Sequence, residues 1–194
     1  MNIVERVKNI LLKPKEEWPV IAGETTSTAE LYTSYIIPLA AIPAVASFIG
    51  LSIVGLPFIG RLGMGIGLSI MVTQFVLALV GVFVLALVID ALAPTFGGEK
   101  NQAQALKLAA YSMTAAWLAG IFHILPMLGI LAIAGLYSLY LLYLGLPVMM
   151  KAPADKAVAY TVVVVVAGIV IWALISAVGA MFMPTPSIGI PRIR

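Results

Sequence analysis

The sequence predicts an all-α fold: an integral membrane bundle of five transmembrane helices with a short N-terminal amphipathic interfacial helix. Three observations predict it. Hydrophobic residues make up 62% of the chain and charged residues only 10%, too little polar surface for a soluble domain of this size. The charged side chains, 11 basic and 8 acidic, gather in short clusters separated by long uncharged runs. Finally, Ile3, Val4, Val7, Ile10 and Leu11 recur at helical spacing, with Glu5, Arg6, Lys8 and Asn9 on the other faces.

The apolar runs set the spans. Thirty uncharged residues lie between Glu30 and Arg61, punctuated by Pro38, Pro43 and Pro57, which predicts a first span near Tyr35 to Leu56 with a kinked or irregular entry. Leu62 to Ile89 runs 28 residues without charge, about 42 Å of helix against a hydrocarbon core of about 30 Å, so the second span must tilt or protrude. Asp90 closes that run, and Pro94 to Asn101 is a solvent-facing loop by its turn formers and charges. The 43 residues between Lys107 and Lys151 would extend about 65 Å as one helix and must fold back. Pro126 and Gly129 divide them into spans at Leu106 to Leu125 and Met127 to Pro147. A charged turn at Lys151 to Lys156 leads to the fifth span, Val158 to Met183.

Three regions follow: a cytoplasmic amphipathic segment at residues 1–30, a transmembrane domain at 31–183, and an outward-facing tail at 184–194. With the N-terminus inside, Arg6, Lys8, Lys13, Lys15, Lys100, Lys107, Lys151 and Lys156 fall on the inner side, against Arg61, Arg192 and Arg194 outside. That asymmetry orients a multi-pass membrane protein with a cytoplasmic N-terminus and an outward C-terminus. A third and fourth segment forming one long buried hairpin that never reaches the far side satisfies the same count. Met1 to Glu30 lacks the apolar core of a cleavable signal, so the first span is expected to be retained. Trp18, beside Lys15, Glu16 and Glu17, has the setting of an interface anchor; the alternative for this segment is packing on the inner loops of the same protein.

Pro14 followed by Glu17-Trp18 and Ile21, five apolar spans, Phe96-Gly97-Gly98 before span three, and the tyrosine-rich Tyr137 to Leu146 ahead of Lys151 together resemble prokaryotic members of the Yip1 family. The likeness covers nearly the whole chain and implies five transmembrane helices with a cytoplasmic N-terminus in a prokaryotic cytoplasmic (inner) membrane. Eukaryotic members are associated with Rab GTPases and membrane traffic but carry a longer N-terminal region, so the resemblance implies no Rab partner here.

Several function classes are excluded or weakened by composition. A net charge of +3 with scattered basic residues does not build a nucleic-acid surface. No cysteine and one histidine remove disulfides, thiolate chemistry, palmitoylation and a multi-histidine metal site. No nucleophile, base and oxyanion donor come together in sequence, so no enzyme activity, cofactor or metal is expected.

Polar residues within or beside the spans are the candidates. Asp90 is either a proton or cation site, since an intramembrane carboxylate costs about 2.5 to 3.5 kcal/mol, or a carboxylate delivered to the inner interface and neutralised by Lys100 or Lys107. His123, in the outer turn, is a relay or ligand, or a group that caps carbonyls or meets water. Gln74 would join them in a polar route. Gly97, Gly98 and Glu99, followed by Gln102 and Gln104, form the most polar inner loop, a contact for a protein or lipid headgroup or a flexible link. Gly63 and Gly67 have small-xxx-small spacing for helix packing; as a phosphate loop Gly60 to Gly67 lacks the preceding strand and the lysine. Tyr137, Tyr140 and Tyr143 suit an aromatic belt.

The function expected is non-catalytic: a multi-pass protein that organises or binds other membrane components. A small transporter, channel or lipid-handling protein is the alternative. The lipid bilayer is the one certain partner; a second membrane protein and a homo-oligomer are both compatible with the sequence.

Overall fold

The computed structural model describes residues 2–56 and 60–181. Two short helices, α1 (Ile3–Leu12) and α2 (Pro14–Gly23), precede the bundle. Asn2 starts α1 by accepting a hydrogen bond from the Val4 amide at 3.0 Å. Lys13 breaks the chain direction, and Pro14 opens α2 at a position where its missing N–H costs nothing.

Five helices are long and apolar enough to cross a membrane: α3 (Thr28–Val54), α4 (Met64–Phe96), α5 (Gln102–Ile124), α6 (Pro126–Met149) and α7 (Ala157–Met181). Their order and number match the sequence expectation, and residues 182–194, with the expected tail, lie outside the described residues. α3 begins at Thr28 rather than Tyr35 because Ser27 caps it, its hydroxyl accepting from the Glu30 amide at 3.1 Å. The irregularity expected from the prolines takes the form of π-helical turns at Tyr32–Ile36, just before Pro38, and at Ile49–Val54, while Pro43 lies within the regular helix between them.

α5 is the axis of the bundle. It lies against α3, α4 and α6, while α4 also contacts α7, and α6 contacts α2 and α7. Although α5 is the least apolar of the five, 72% of its span is buried, against 17% for each of α4, α6 and α7. The outer helices therefore present Val72, Val76, Ile130, Val162 and Ile169 to lipid, while Ala105, Leu108, Ala109 and Ala110 of α5 are covered on all sides.

The two ends of the bundle differ. One end gathers α1, α2, the 97–101 loop and the 150–156 turn, joined by a Glu99 amide bond to the Met150 carbonyl at 2.8 Å. The far end holds Gly55, Leu56, residues 60–62 and the His123 to Pro126 turn, where the His123 carbonyl sits against Gly50 and leaves no room for a Cβ there. The α5–α6 hairpin thus reaches the far end. Of the expected glycine pair, Gly67 packs against Ser52 of α3, whereas a Cβ on Gly63 would meet open space.

A candidate functional site at the polar end

Arg6 projects from α1 into the gap between α2 and α5. Its Nη1 donates to Glu17 Oε1 at 2.5 Å and its Nη2 donates to Glu24. The guanidinium carbon stands 5.5 Å from the centroid of the Tyr111 ring on α5, a cation–π arrangement. Only 4% of Arg6 is exposed. Burial alone would lower its pKa, but the bond to Glu24 and the charges of Glu24 and Glu17 outweigh that, holding it above the ordinary arginine value.

A second set of contacts fixes the end of α2. Lys107 of α5 donates through Nζ to the carbonyls of Ile21 at 3.0 Å and Glu24 at 2.6 Å, and Gln104 Nε2 donates to the Ala22 carbonyl at 2.9 Å. Carbonyls at a helix C-terminus have no intrahelical donor, and a cation there also meets the negative end of the helix dipole. Below them the Tyr35 and Thr114 hydroxyls share a hydrogen bond at 2.7 Å. Between α1, the 24–27 segment, the start of α3 and Tyr111 lies an open recess of about 480 Å³, whose walls include Arg6, Glu24, Thr26, Glu30 and Ser34.

Trp18 is fully buried. It packs under α6, where a Cβ on Gly145 would come within 2.8 Å of its ring. The tryptophan therefore anchors α2 to protein rather than to the headgroup layer. α1 also packs on the protein: Ile10 is buried and Arg6 is ion-paired within it, while Val4 and Leu12 remain exposed.

Gly97, Gly98 and Glu99 form a joint rather than an open loop. Gly97 ends the helix at φ 76°, a left-handed geometry that glycine adopts without strain. Gly98 lies so close to the Met150 carbonyl that a Cβ would stand 2.6 Å from it. Glu99 pairs with Lys151 at 2.7 Å, and Phe96 stacks on Tyr160 with centroids 4.7 Å apart.

The three polar-route candidates do not share a site. Gln74 and His123 do line one recess of about 360 Å³, with Ser47 and Pro43. Asp90 is 16 residues further along α4, about 24 Å away by helical rise. It lies near the polar end but pairs with neither Lys100 nor Lys107 among the described residues: Lys107 is committed to α2, and Asp90 Oδ1 is buried without a hydrogen-bond partner. Of the three tyrosines on α6, Tyr140 and Tyr143 are exposed, whereas the Tyr137 hydroxyl bonds to the Leu11 carbonyl at 3.0 Å and ties α6 to α1.

The Yip1 domain family model matches residues 8–175, from α1 through most of α7. The chain belongs to the Yip1 family. Its similarity extends to the inner membrane protein YohC of Escherichia coli K12 and of E. coli O6:H1, each 28% identical over 128 residues, which is 64% of this chain and 66% of the relative. The chain thus spans just under two thirds of the length of these curated relatives. No solved structure matches. This Yip1-family chain is accordingly a multi-pass membrane protein with an all-helical bundle.

Arg6, Glu24 and Lys107 are the functional candidates that sequence reasoning passed over as ordinary charges. Their partners are 11 to 86 positions away, separations at which no periodicity reports a pairing. One local sign was present: Lys107 is a cation at the sixth position of α5, which starts at Gln102, and it is buried there; a cation within a span implies a partner.

Proposed function

We propose that this Yip1-family protein works without catalysis, organising or binding other membrane components through the polar end of its bundle. The observation that supports this reading most is the segregation of charge. Among the described residues, every charged side chain except Arg61 lies in residues 5–30, the 90–107 region or the 151–156 turn. The far end and the lipid-facing helices offer little besides apolar surface and the small recess at Gln74. In the proposed orientation the polar end faces the cytoplasm of a prokaryote, since basic residues at span ends resist translocation, and the YohC relatives are inner membrane proteins by name.

Crosslinking inside the membrane tests the reading. Photoreactive side chains at Lys8, Lys15 and Lys151 should capture specific membrane components, while the same group at Arg61 should not. Equal capture at both ends, or none at any position, would count against it.

A transport role draws support from a single feature, the meeting of Gln74 and His123 in one recess. Reconstituted vesicles whose ion, solute and lipid flux equals that of empty vesicles, unchanged by Q74L or H123A, would remove that support.

A further inference from the structure

We propose that the recess between α1, α3 and α5 binds the headgroup of a zwitterionic aminophospholipid, with its phosphate at Arg6 and its primary ammonium at Glu30. This rests on the reading that the polar end engages membrane components and specifies one of them.

Position comes first. Glu30 lies in the first turn of α3 and Ser34 one turn further along this membrane-crossing helix, so a span that begins at Thr28 sets the recess at headgroup depth. Its volume of about 480 Å³ falls within the roughly 300–1,000 Å³ of small-molecule sites.

Chemistry selects the ligand. Arginine carries five N–H donors, and Arg6 spends two on Glu17 and Glu24, leaving three for a phosphate, which guanidinium recognises well. The neighbourhood is nevertheless net negative: Arg6 and Lys107 contribute two positive charges, and Glu17, Glu24 and Glu30 three negative ones. A purely anionic headgroup would be repelled. Glu30 has no ion-pair partner among the described residues and stands in the same wall, available to an ammonium. Tyr111 also lines the recess; it is 5% exposed, and its hydroxyl, unlike that of Tyr35, bonds to no described side chain or carbonyl. Together with Thr26 it offers oxygen acceptors. A primary ammonium has N–H groups to donate to them, and a trimethylammonium has none, so ethanolamine fits better than choline.

The test uses the full chain in nanodiscs containing phosphatidylethanolamine, phosphatidylcholine and phosphatidylglycerol in equal amounts, with retained lipid identified by native mass spectrometry. Phosphatidylethanolamine should be retained about fivefold over either of the others, a difference of about 1 kcal/mol. Glu30→Gln should erase that preference, and Tyr111→Phe, which removes only a hydroxyl and leaves the packing intact, should reduce it. Equal retention of the three lipids, or an unchanged preference in both variants, would overturn the proposal. Displacement by soluble glycerophosphoethanolamine at equal concentration would reassign the recess to the free headgroup and overturn the lipid assignment. Crosslinks at Lys8 and Lys151 that persist while lipid preference fails would sink this inference alone; loss of both would sink the organising role as well.

Discussion

The polar end and the far end of the bundle are held together by different physics. At the polar end, side chains cross between helices: Arg6 to Glu17 and Glu24, Lys107 and Gln104 to the last carbonyls of α2, Tyr137 to Leu11. At the far end the backbones themselves approach, with Gly50 against the His123 carbonyl, Gly67 against Ser52 and Gly120 against Pro43. The difference follows from the residues at each end. At the polar end charged side chains are present to pair with one another and with helix carbonyls, whereas at the far end the helices carry small residues, whose close packing is the available attraction.

Substitutions at the two ends should therefore fail in different ways. The largest effect is expected for Arg6→Ala, which strands the buried Glu17 carboxylate; a loss of about 3–5 kcal/mol is the usual result of breaking a buried pair from one side. Thermal unfolding in detergent would show it, and Glu17→Gln in the same background should restore part of the loss. Lys107→Met should cost about 1.5–3 kcal/mol, the range for hydrogen bonds to a charged group. Hydrogen exchange should then rise in residues 14–24 while the centre of α5 stays protected. Gly50→Ala, at the far end, should cost about 1–3 kcal/mol by overpacking and leave exchange in α1 and α2 unchanged. Lys151→Ala, which removes an exposed pair with Glu99, should shift stability by no more than about 1 kcal/mol. A Gly50 variant that loosened α1, or a Lys107 variant that did not, would erase the distinction between the ends.

Sequence carried the number, order and approximate bounds of the spans because length and missing charge are properties of a segment by itself. The Ser27 cap was equally local, a hydroxyl three residues before Glu30, and explains the seven residues by which α3 precedes its expected start. What could not be seen was which helix would be central. Hydropathy measures preference for solvent, and by that measure α5, with Lys107, Tyr111, Ser112 and Thr114, is the poorest span; yet Gln104 and Lys107 find partners at the end of α2 and Thr114 finds one on α3, so the fold can bury it. Trp18 misled for a related reason. Its charged neighbours Lys15, Glu16 and Glu17 suggested an aqueous boundary, yet Glu17 turns inward to Arg6 and the indole fills the space left by Gly145.

Segregation of charge to one end, facing the cytoplasm, is the claim on which the organising role depends, and the cysteine-free chain makes it directly measurable. Single cysteines at Lys8, Lys151 and Arg61 can be labelled in intact cells with a membrane-impermeant maleimide. The account predicts that Arg61→Cys is labelled from outside and that Lys8→Cys and Lys151→Cys react only after permeabilisation. Labelling of Lys8→Cys or Lys151→Cys in intact cells, or of all three from one side, would contradict it.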